Sequence, residues 1–345
     1  MLKEGGICMK KVLVLTLGLC VAFAVFAGGK QETGKAAPAM TAEKPVVLKL
    51  THEGPIGDQR QKASETFARL VKEKTGGKAT VEVYPAASLG PKEQVQLGME
   101  TGTVDSLIED VGTLQRYDNI CAIGFMPFIY RGEDHFMKVW KSPFKAEFFA
   151  EVEKRTGFKL LGVMYRGGRQ ITSSRPIMKL EDMKGLKIRV PTSEVMVNAF
   201  KALGASPTPM AFPEVFGALQ QKVIDAQENP LDTINSNSLQ EVAPNITLTS
   251  HVIGAFNFQF WAKTFQKYPD WLQKAIVESA EAASDEYSAD TSKKEAQILQ
   301  KFEADPKVKV IRLDDKELSR WSQAVAGVYD GYPDLKPYLK KISDF

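Results

Sequence analysis

The sequence predicts an α/β protein of two similarly built lobes that face each other across a cleft. Three observations predict it. Strand-like and helix-like segments alternate from Val46 onward, one short unit recurs later in the chain, and about 300 residues remain after an N-terminal leader, enough for two domains.

The leader comes first. Lys10 and Lys11 give it a basic start, Val12 to Phe26 is an almost unbroken apolar run, and Ala27-Gly28-Gly29 offers a small-residue cleavage site. That order is the pattern of a secretory signal peptide over residues 1–27, and the apolar run falls short of the ~20 residues that span a bilayer. Met1–Cys8 does not fit the pattern, which makes Met9 the expected start. Lipidation of Cys20 is opposed by the large Leu19 before it and by the apolar run continuing past it; retention of the leader as an anchor is the other alternative. Residues 28–44 are rich in Ala, Lys, Gln, Thr and Pro and read as a flexible tether.

The elements then follow in order. Val46–Leu50 is a strand. A helix starts at about Asp58, carries Ala63, Phe67, Leu70 and Val71 at helical spacing, and stops at Thr75-Gly76-Gly77. Thr80–Tyr84 alternates as a second strand, ended by Pro85. Such alternation argues for largely parallel sheets. The segment EQVQLGMETGTVD, Glu93–Asp105, lies without a gap over PEVFGALQQKVID, Pro213–Asp225. Each copy is a short helix, a turn at Gly102 or Lys222, and an apolar step to Asp105 or Asp225. The polar pairs Glu109-Asp110 and Glu228-Asn229 close the two units. Ligands of open α/β sheets sit beyond the carboxyl ends of strands, so function is expected in the cleft. Asp270–Phe302 contains neither Gly nor Pro and places Leu272, Ile276, Ala280, Ala283 and Tyr287 three or four residues apart. As one helix it would run about 50 Å. It either breaks near Asp285–Ser292 or braces both lobes.

Composition narrows the classes of function. The leader holds Lys3, Lys10 and Lys11 against Glu4, so its removal takes the formal net charge from +3 to +1. That balance points to neither nucleic acid nor an acidic membrane as partner. Of Cys8, Cys20 and Cys121 only the last survives cleavage, so no internal disulfide forms, which a bacterial periplasmic protein with a sizeable core tolerates. His52, His135 and His251 lie far apart, against a Cys/His metal cluster. No GxSxG context supports a serine nucleophile.

The densest chemistry lies between Arg169 and Pro230. Gly185–Pro191, GLKIRVP, is a short strand with Leu186, Ile188 and Val190 on one face and Arg189 on the other, ended by Pro191. A guanidinium at a strand tip presents a planar fork to a carboxylate. Its competing role is a solvated arginine or an ion pair between lobes.

Five segments now carry a resemblance: YPAASLG (Tyr84–Gly90), DMKGLKIRVP, ALGASPTPM, AFPEVFGALQ and DAQENP. In this order they resemble the TRAP-type (tripartite ATP-independent periplasmic) solute-binding proteins of the DctP family, over essentially the whole chain from Leu48 on. The resemblance implies a periplasmic binding protein fold in which a long helix spans two lobes, here residues 45–166 with 255–294 and residues 167–254 with 295–345. It implies a monomer without cofactor or metal that is not an enzyme and delivers a small-molecule carboxylate to TRAP membrane permease subunits. Arg189 matches the family's carboxylate ligand. Arg169, in RGGRQITSS, matches a second ligand-facing arginine, Asn229 a hydrogen-bonding neighbour, and Phe212 an aromatic packed on the ligand. In the first lobe the matching positions are His52-Glu53 and Glu109-Asp110, with Asp110 the better alignment, and Lys92 after the SLG turn.

Each position has a structural competitor. Arg169 has Asp182 or Glu181 as ion-pair partners, Asn229 a turn beside Pro230, Phe212 a place in the core, and Glu53 and Asp110 roles as solvated or helix-capping carboxylates. Two positions depart from the family pattern. Lys222 replaces the usual glycine, and a positive φ would cost it about 1 kcal/mol, so a turn of another type is expected. Ala226 stands where glycine is common and is expected to narrow the floor of the site. Paired arginines call for an anion, and acidic Glu53 and Asp110 disfavour a second carboxylate. A hydroxylated monocarboxylate, a uronate or other sugar acid, is the expected ligand. A C4-dicarboxylate is the alternative, with Lys92 for its second charge; a sensor subunit, or a secreted hydrolase using Asp225 and Glu228, are readings of other classes.

Overall fold

The structure is a computed structural model and describes residues 45–345. The leader over 1–27, the tether over 28–44, Cys20 and the choice between Met1 and Met9 lie outside the described residues.

The chain opens with β1 (Val46–Thr51), α1 (Gln59–Lys74), β2 (Ala79–Tyr84), α2 (Lys92–Thr101) and β3 (Ser106–Asp110). Helices α3 (Glu133–Trp140) and α4 (Phe144–Thr156) lead into β4 (Phe158–Ser173), a strand of 16 residues. The second lobe then repeats the opening with β5 (Lys187–Val190), α5 (Glu194–Ala202), β6 (Ser206–Pro209), α6 (Val215–Gln220) and β7 (Ala226–Pro230). Next come α7 (Leu231–Ser236), α8 (Leu239–Val242), β8 (Asn245–Leu248), β9 (Ile253–Trp261), α9 (Ala262–Phe265) and α10 (Asp270–Ala304). β10 (Lys309–Arg312), α11 (Asp315–Val325) and α12 (Lys336–Ser343) finish the chain.

The strand order β2-β1-β3-β9-β4-β7-β5-β6 joins both lobes through β4, with β8 and β10 set off its far half. In each lobe the repeated unit is parallel: β1 pairs with β2 and β3, and β5 with β6 and β7. The repeat extends to single hydrogen bonds. Asp105 N donates to Lys49 O at 3.1 Å, and Asp225 N donates to Lys187 O at 2.8 Å. The expectation of largely parallel sheets needs correcting, because β9 and β4 cross between lobes and pair antiparallel with β3, β7, β8 and each other. The alternation of the opening segments and the twice-repeated unit carry no mark of those returning strands.

The turn at Lys222 is also corrected. Lys222 has φ 58°, in the left-handed region, just as Gly102 has 77°. Both turns close the same way. Val223 N donates to Ala218 O and Thr103 N to Gly98 O, each at 2.9 Å, the six-to-one bond of a Schellman cap. The two hydrogen bonds of the cap hold the lysine in a conformation it disfavours on its own. Ala226 is fully buried in the core and does not narrow the site.

Asp270–Ala304 is one unbroken helix. Leu272, Ile276, Ala280, Ala283 and Tyr287 pack into the core with β1, α1 and β9, whereas Ile298 and Phe302 pack with α6, α7 and α8. One element thereby contributes to the cores of both lobes. Between its two ends it crosses the bulged stretch of β4, where the pairing with β9 shifts register between Leu161 and Met164 and again between Tyr165 and Gly168. Gly162 (φ 68°) and Gly167 (φ 80°) mark the bulges, and a Cβ at either would collide with Ser284 or Glu295 of α10.

Glu295 sits at this crossing. Burial, then the neighbouring carboxylates of Glu133 and Asp232, push its carboxyl up to about 8, against the opposing backbone N–H of Gly168. A folded-state value above the unfolded 4.5 means that the native state holds its proton longer. Stability from this group is full below about 4.5 and is lost as pH rises towards 8. Glu295→Gln should therefore raise the melting temperature at pH 8 and flatten its decline between pH 5 and 8 in scanning calorimetry. An unchanged pH slope would count against this account.

Candidate functional site

Arg189, Arg169 and Asn229 meet because β7 lies between β5 and β4. Arg189 is in register with Gln227, and Arg169 with Pro230. Pro191 ends β5 just past Arg189 and lines the same cavity.

Arg189 is only 2 % exposed. Its Nε and Nη2 donate to the Met210 carbonyl at 3.0 and 2.7 Å, and its Cζ lies 5.8 Å from the centre of the Phe212 ring. Among the described residues it forms no ion pair within 4.0 Å. Burial depresses its basicity, to about 10, despite the favourable field of Glu228. It is a buried cation short of a counter-charge, with Nη1 bonded to no protein group among the described residues.

Arg169 is differently placed. It forms a forked ion pair with Glu228, Nε to Oε2 and Nη2 to Oε1, the latter at 2.8 Å, and Nη2 also reaches Glu228 O and Asn229 Oδ1. The Asp182 and Glu181 alternatives fail: Asp182 accepts from the backbone of Met178 and Lys179, and Glu181 pairs with Arg320. His251 Nε2 stands 3.2 Å from Glu228 Oε2, and Asn229 Nδ2 donates to Gln227 Oε1 at 2.6 Å. Every side chain in this network is buried, so the Asn229 amide is held in one orientation. Cζ of Arg169 also lies 5.8 Å from the Phe125 ring.

The opposite wall comes from the first lobe. Glu53 Oε1 accepts from Lys92 N at 3.0 Å at the start of α2, and Lys92 Nζ lies 3.7 Å from Glu53 and 3.6 Å from Glu93. Glu109, Thr113 and Phe125 join them, as do Arg60 and Arg166. Arg60 is matched by Asp58, Nε to Oδ1 at 2.9 Å and Nη2 to Oδ2 at 2.8 Å. Arg166 is not. Its Cζ lies 3.7 Å from the Phe256 ring centre, its paired carboxylate oxygen, Asp110 Oδ2, is 3.8 Å away, and its buried Nε has no partner among the described residues.

These groups enclose one cavity, which also takes Phe212, Asn229 and Thr233 into its wall. Six of the eight residues singled out from the sequence line it: Arg189, Arg169, Asn229, Phe212, Glu53 and Lys92. Asp110 and His52 do not. Asp110 caps the turn after β3 by accepting from Gly112 N at 2.8 Å, and burial pushes its carboxyl up to about 7. Alternation along β3 gives the cavity Glu109 instead. His52 is buried against Gln61, 3.0 Å from Nε2, with its imidazole pushed down to about 4 by burial and then by Arg60. Sequence reasoning missed Arg60, Arg166, Thr113, Phe125 and Thr233. Arg166 carried a signal, as the first arginine of RGGR. Strict alternation would send it away from Arg169, but the bulge at Gly167 turns both into one cavity.

The cavity's free volume is about 30 Å3, room for little more than water. Five cationic and two anionic side chains line the space, and Asp58 and Glu228 behind it offset two of the cations. The arrangement is an anion site with hydrogen-bonding walls.

Two α/β lobes, a helix anchored in both, and an arginine-rich cavity between strand ends define a solute-binding protein architecture. Residues 50–334 match the model of the DctP family, the bacterial extracellular solute-binding proteins of family 7. The chain belongs to that family. It is 27 % identical over 300 residues to the sialic acid-binding periplasmic protein of Vibrio cholerae, covering 87 % of each chain. Among solved structures, a TRAP periplasmic solute-binding protein of Roseobacter denitrificans with bound L-galactonate superposes with a TM-score of 0.81 at 28 % identity, over 87 % of this chain and 99 % of that one. A TRAP protein of Xanthobacter autotrophicus with bound β-D-galacturonate gives 0.81 at 26 %, over 86 % and 98 %.

Proposed function

We propose that this protein captures a uronate or related sugar acid in the periplasm and presents it to a TRAP membrane permease. The observation that carries the reading is Arg189, fully buried on the cavity wall with no carboxylate partner among the described residues. A ligand carboxylate supplies the missing charge and accepts the fork, with Asn229 and Nη1 of Arg169 beside it. Glu53 and Glu109 on the far wall accept from ligand hydroxyls. The relatives named above, which hold L-galactonate and β-D-galacturonate or bind sialic acid, support a carboxylate bearing several hydroxyls.

The mechanism is lobe closure. Residues 45–166 with 255–294 form one lobe and 167–254 with 295–345 the other. A ligand touching both shifts the population from open to closed, and α10 and the bulged β4 carry the hinge. The chain acts as an exported monomer without cofactor and performs no catalysis; Glu228, proposed for a hydrolase, is held by Arg169 and His251.

A C4-dicarboxylate is the second reading, favoured by Arg166, a first-lobe cation whose one ion-pair partner among the described residues, Asp110, stands 3.8 Å away. Lys92 serves it less well, being flanked by Glu53 and Glu93. A thermal-shift screen of galacturonate, glucuronate, galactonate, gulonate and succinate separates the two. Stabilisation by sugar acids and not by succinate is expected; the reverse would establish the dicarboxylate. Mass spectrometry of ligand that co-purifies gives an independent check.

A further inference from the structure

Glu53 and Phe212 both line the ligand cavity. Both residues also line a second compartment of about 190 Å3, whose other walls include Pro55, Ala86, Pro213, Val215, Phe216 and Leu239. Charged side chains dominate the first compartment; the second is lined mostly by apolar residues, with Glu53 and Asn237 as its polar groups. Its walls come from both lobes: the loops after β1 and β2 on one side, α6 and the start of α8 on the other.

The loop carrying Ala86 is built for this position at a conformational cost. Ala86 (φ 55°) and Ala87 (φ 54°) are consecutive non-glycine residues in the left-handed region. They are held there by Ala86 N donating to Gly54 O at 2.8 Å and Ala87 N to His52 O at 3.1 Å. Backbone held in such conformations concentrates at ligand clamps. Next to Pro55 in sequence, Ile56 is 75 % exposed. A mostly apolar compartment that shares two walls with a ligand site is the arrangement expected for a substituent that reaches outward from the ligand.

We propose that this compartment is a subsite for an apolar substituent, an aryl ring or short alkyl chain carried by the acid at the end away from its carboxylate. The ligand class is then a sugar acid conjugated to a small apolar group. This rests on the sugar-acid reading above. The size fits a ring, since a cavity of about 150 Å3 holds benzene. Burying that ring against Phe216, Pro213 and Leu239 removes apolar surface from water, which raises affinity.

The test is calorimetric titration of the mature protein with D-glucuronate and with phenyl β-D-glucuronide. The glucuronide should bind about tenfold tighter or better. Phe216→Ala should bring the two affinities within about twofold of each other, and Phe216→Leu should keep the preference. A glucuronide that binds no tighter than glucuronate, or a preference that survives Phe216→Ala, overturns the subsite and leaves the sugar-acid reading standing. Failure of both compounds to bind overturns that reading and the subsite with it.

Discussion

Arg189→Ala should abolish ligand-induced thermal stabilisation. The two N–H groups of a guanidinium that grip a carboxylate contribute roughly 1.5–3 kcal/mol each, against about 8 kcal/mol for a micromolar complex. Their loss weakens binding by about a hundredfold or more. A ligand at 1,000 times its dissociation constant stabilises by about 4.1 kcal/mol, and most of that disappears when the constant rises by such a factor. Arg189→Lys keeps the charge without the planar fork, so it should bind far more weakly than the wild type yet better than the alanine variant. The unliganded variants supply the control. Among the described residues Arg189 donates only to the Met210 carbonyl and forms no ion pair, so its removal should leave a cooperative melt. Undiminished stabilisation of Arg189→Ala by a ligand of the wild type would sink the carboxylate clamp.

How much of this site the sequence disclosed depends on which physical rule governs each residue. The place of Arg189 at a strand tip was legible because β5 alternates and Pro191 fixes where it ends, whereas its role as carboxylate ligand came from the resemblance and not from the pattern. The repeated unit was legible because its turns and its aspartates recur at fixed places, down to the bonds at Asp105 and Asp225. Arg166 was hidden by a bulge, a break of alternation that no pattern of apolar residues marks. Asp110 was favoured over Glu109 because two adjacent carboxylates look alike in a motif, although one residue of offset sends them to opposite faces of β3. Arg60 lay just inside a helix start, where the sequence shows the capping Asp58 but not that it also neutralises the arginine. Lys222 shows the opposite kind of failure. Its intrinsic preference was read correctly, and the surrounding cap overrode it.

The Arg169–Glu228 pair should prove to be the most costly contact in the site to break. Glu228→Ala leaves a fully buried guanidinium without its counter-ion, and breaking such a pair from one side costs about 3–5 kcal/mol. Native domains have only about 5–15 kcal/mol in total, so urea unfolding of the unliganded variant should show a midpoint lowered by a large fraction. The pH profile carries the same signature. Despite complete burial, which raises it, the Arg169 charge and hydrogen bonds bring the Glu228 carboxyl down to about 2 from 4.5. A depressed acid stabilises the fold above its unfolded value, and that contribution is lost as pH falls from about 4.5 towards 2. Wild type should therefore lose stability steeply across that window, and Glu228→Gln much less steeply. Replacing both partners, as in Arg169→Met with Glu228→Leu, should recover much of the loss, because a buried pair is often matched by apolar residues of similar size. That double variant should still bind ligand poorly, since it removes one of the two arginines facing the carboxylate and frees the Asn229 amide that Arg169 now orients. Stability recovered together with full binding would show that Arg169 is scaffold alone. A Glu228→Ala protein within about 1 kcal/mol of wild type would show that the pair is not what holds this wall of the cleft.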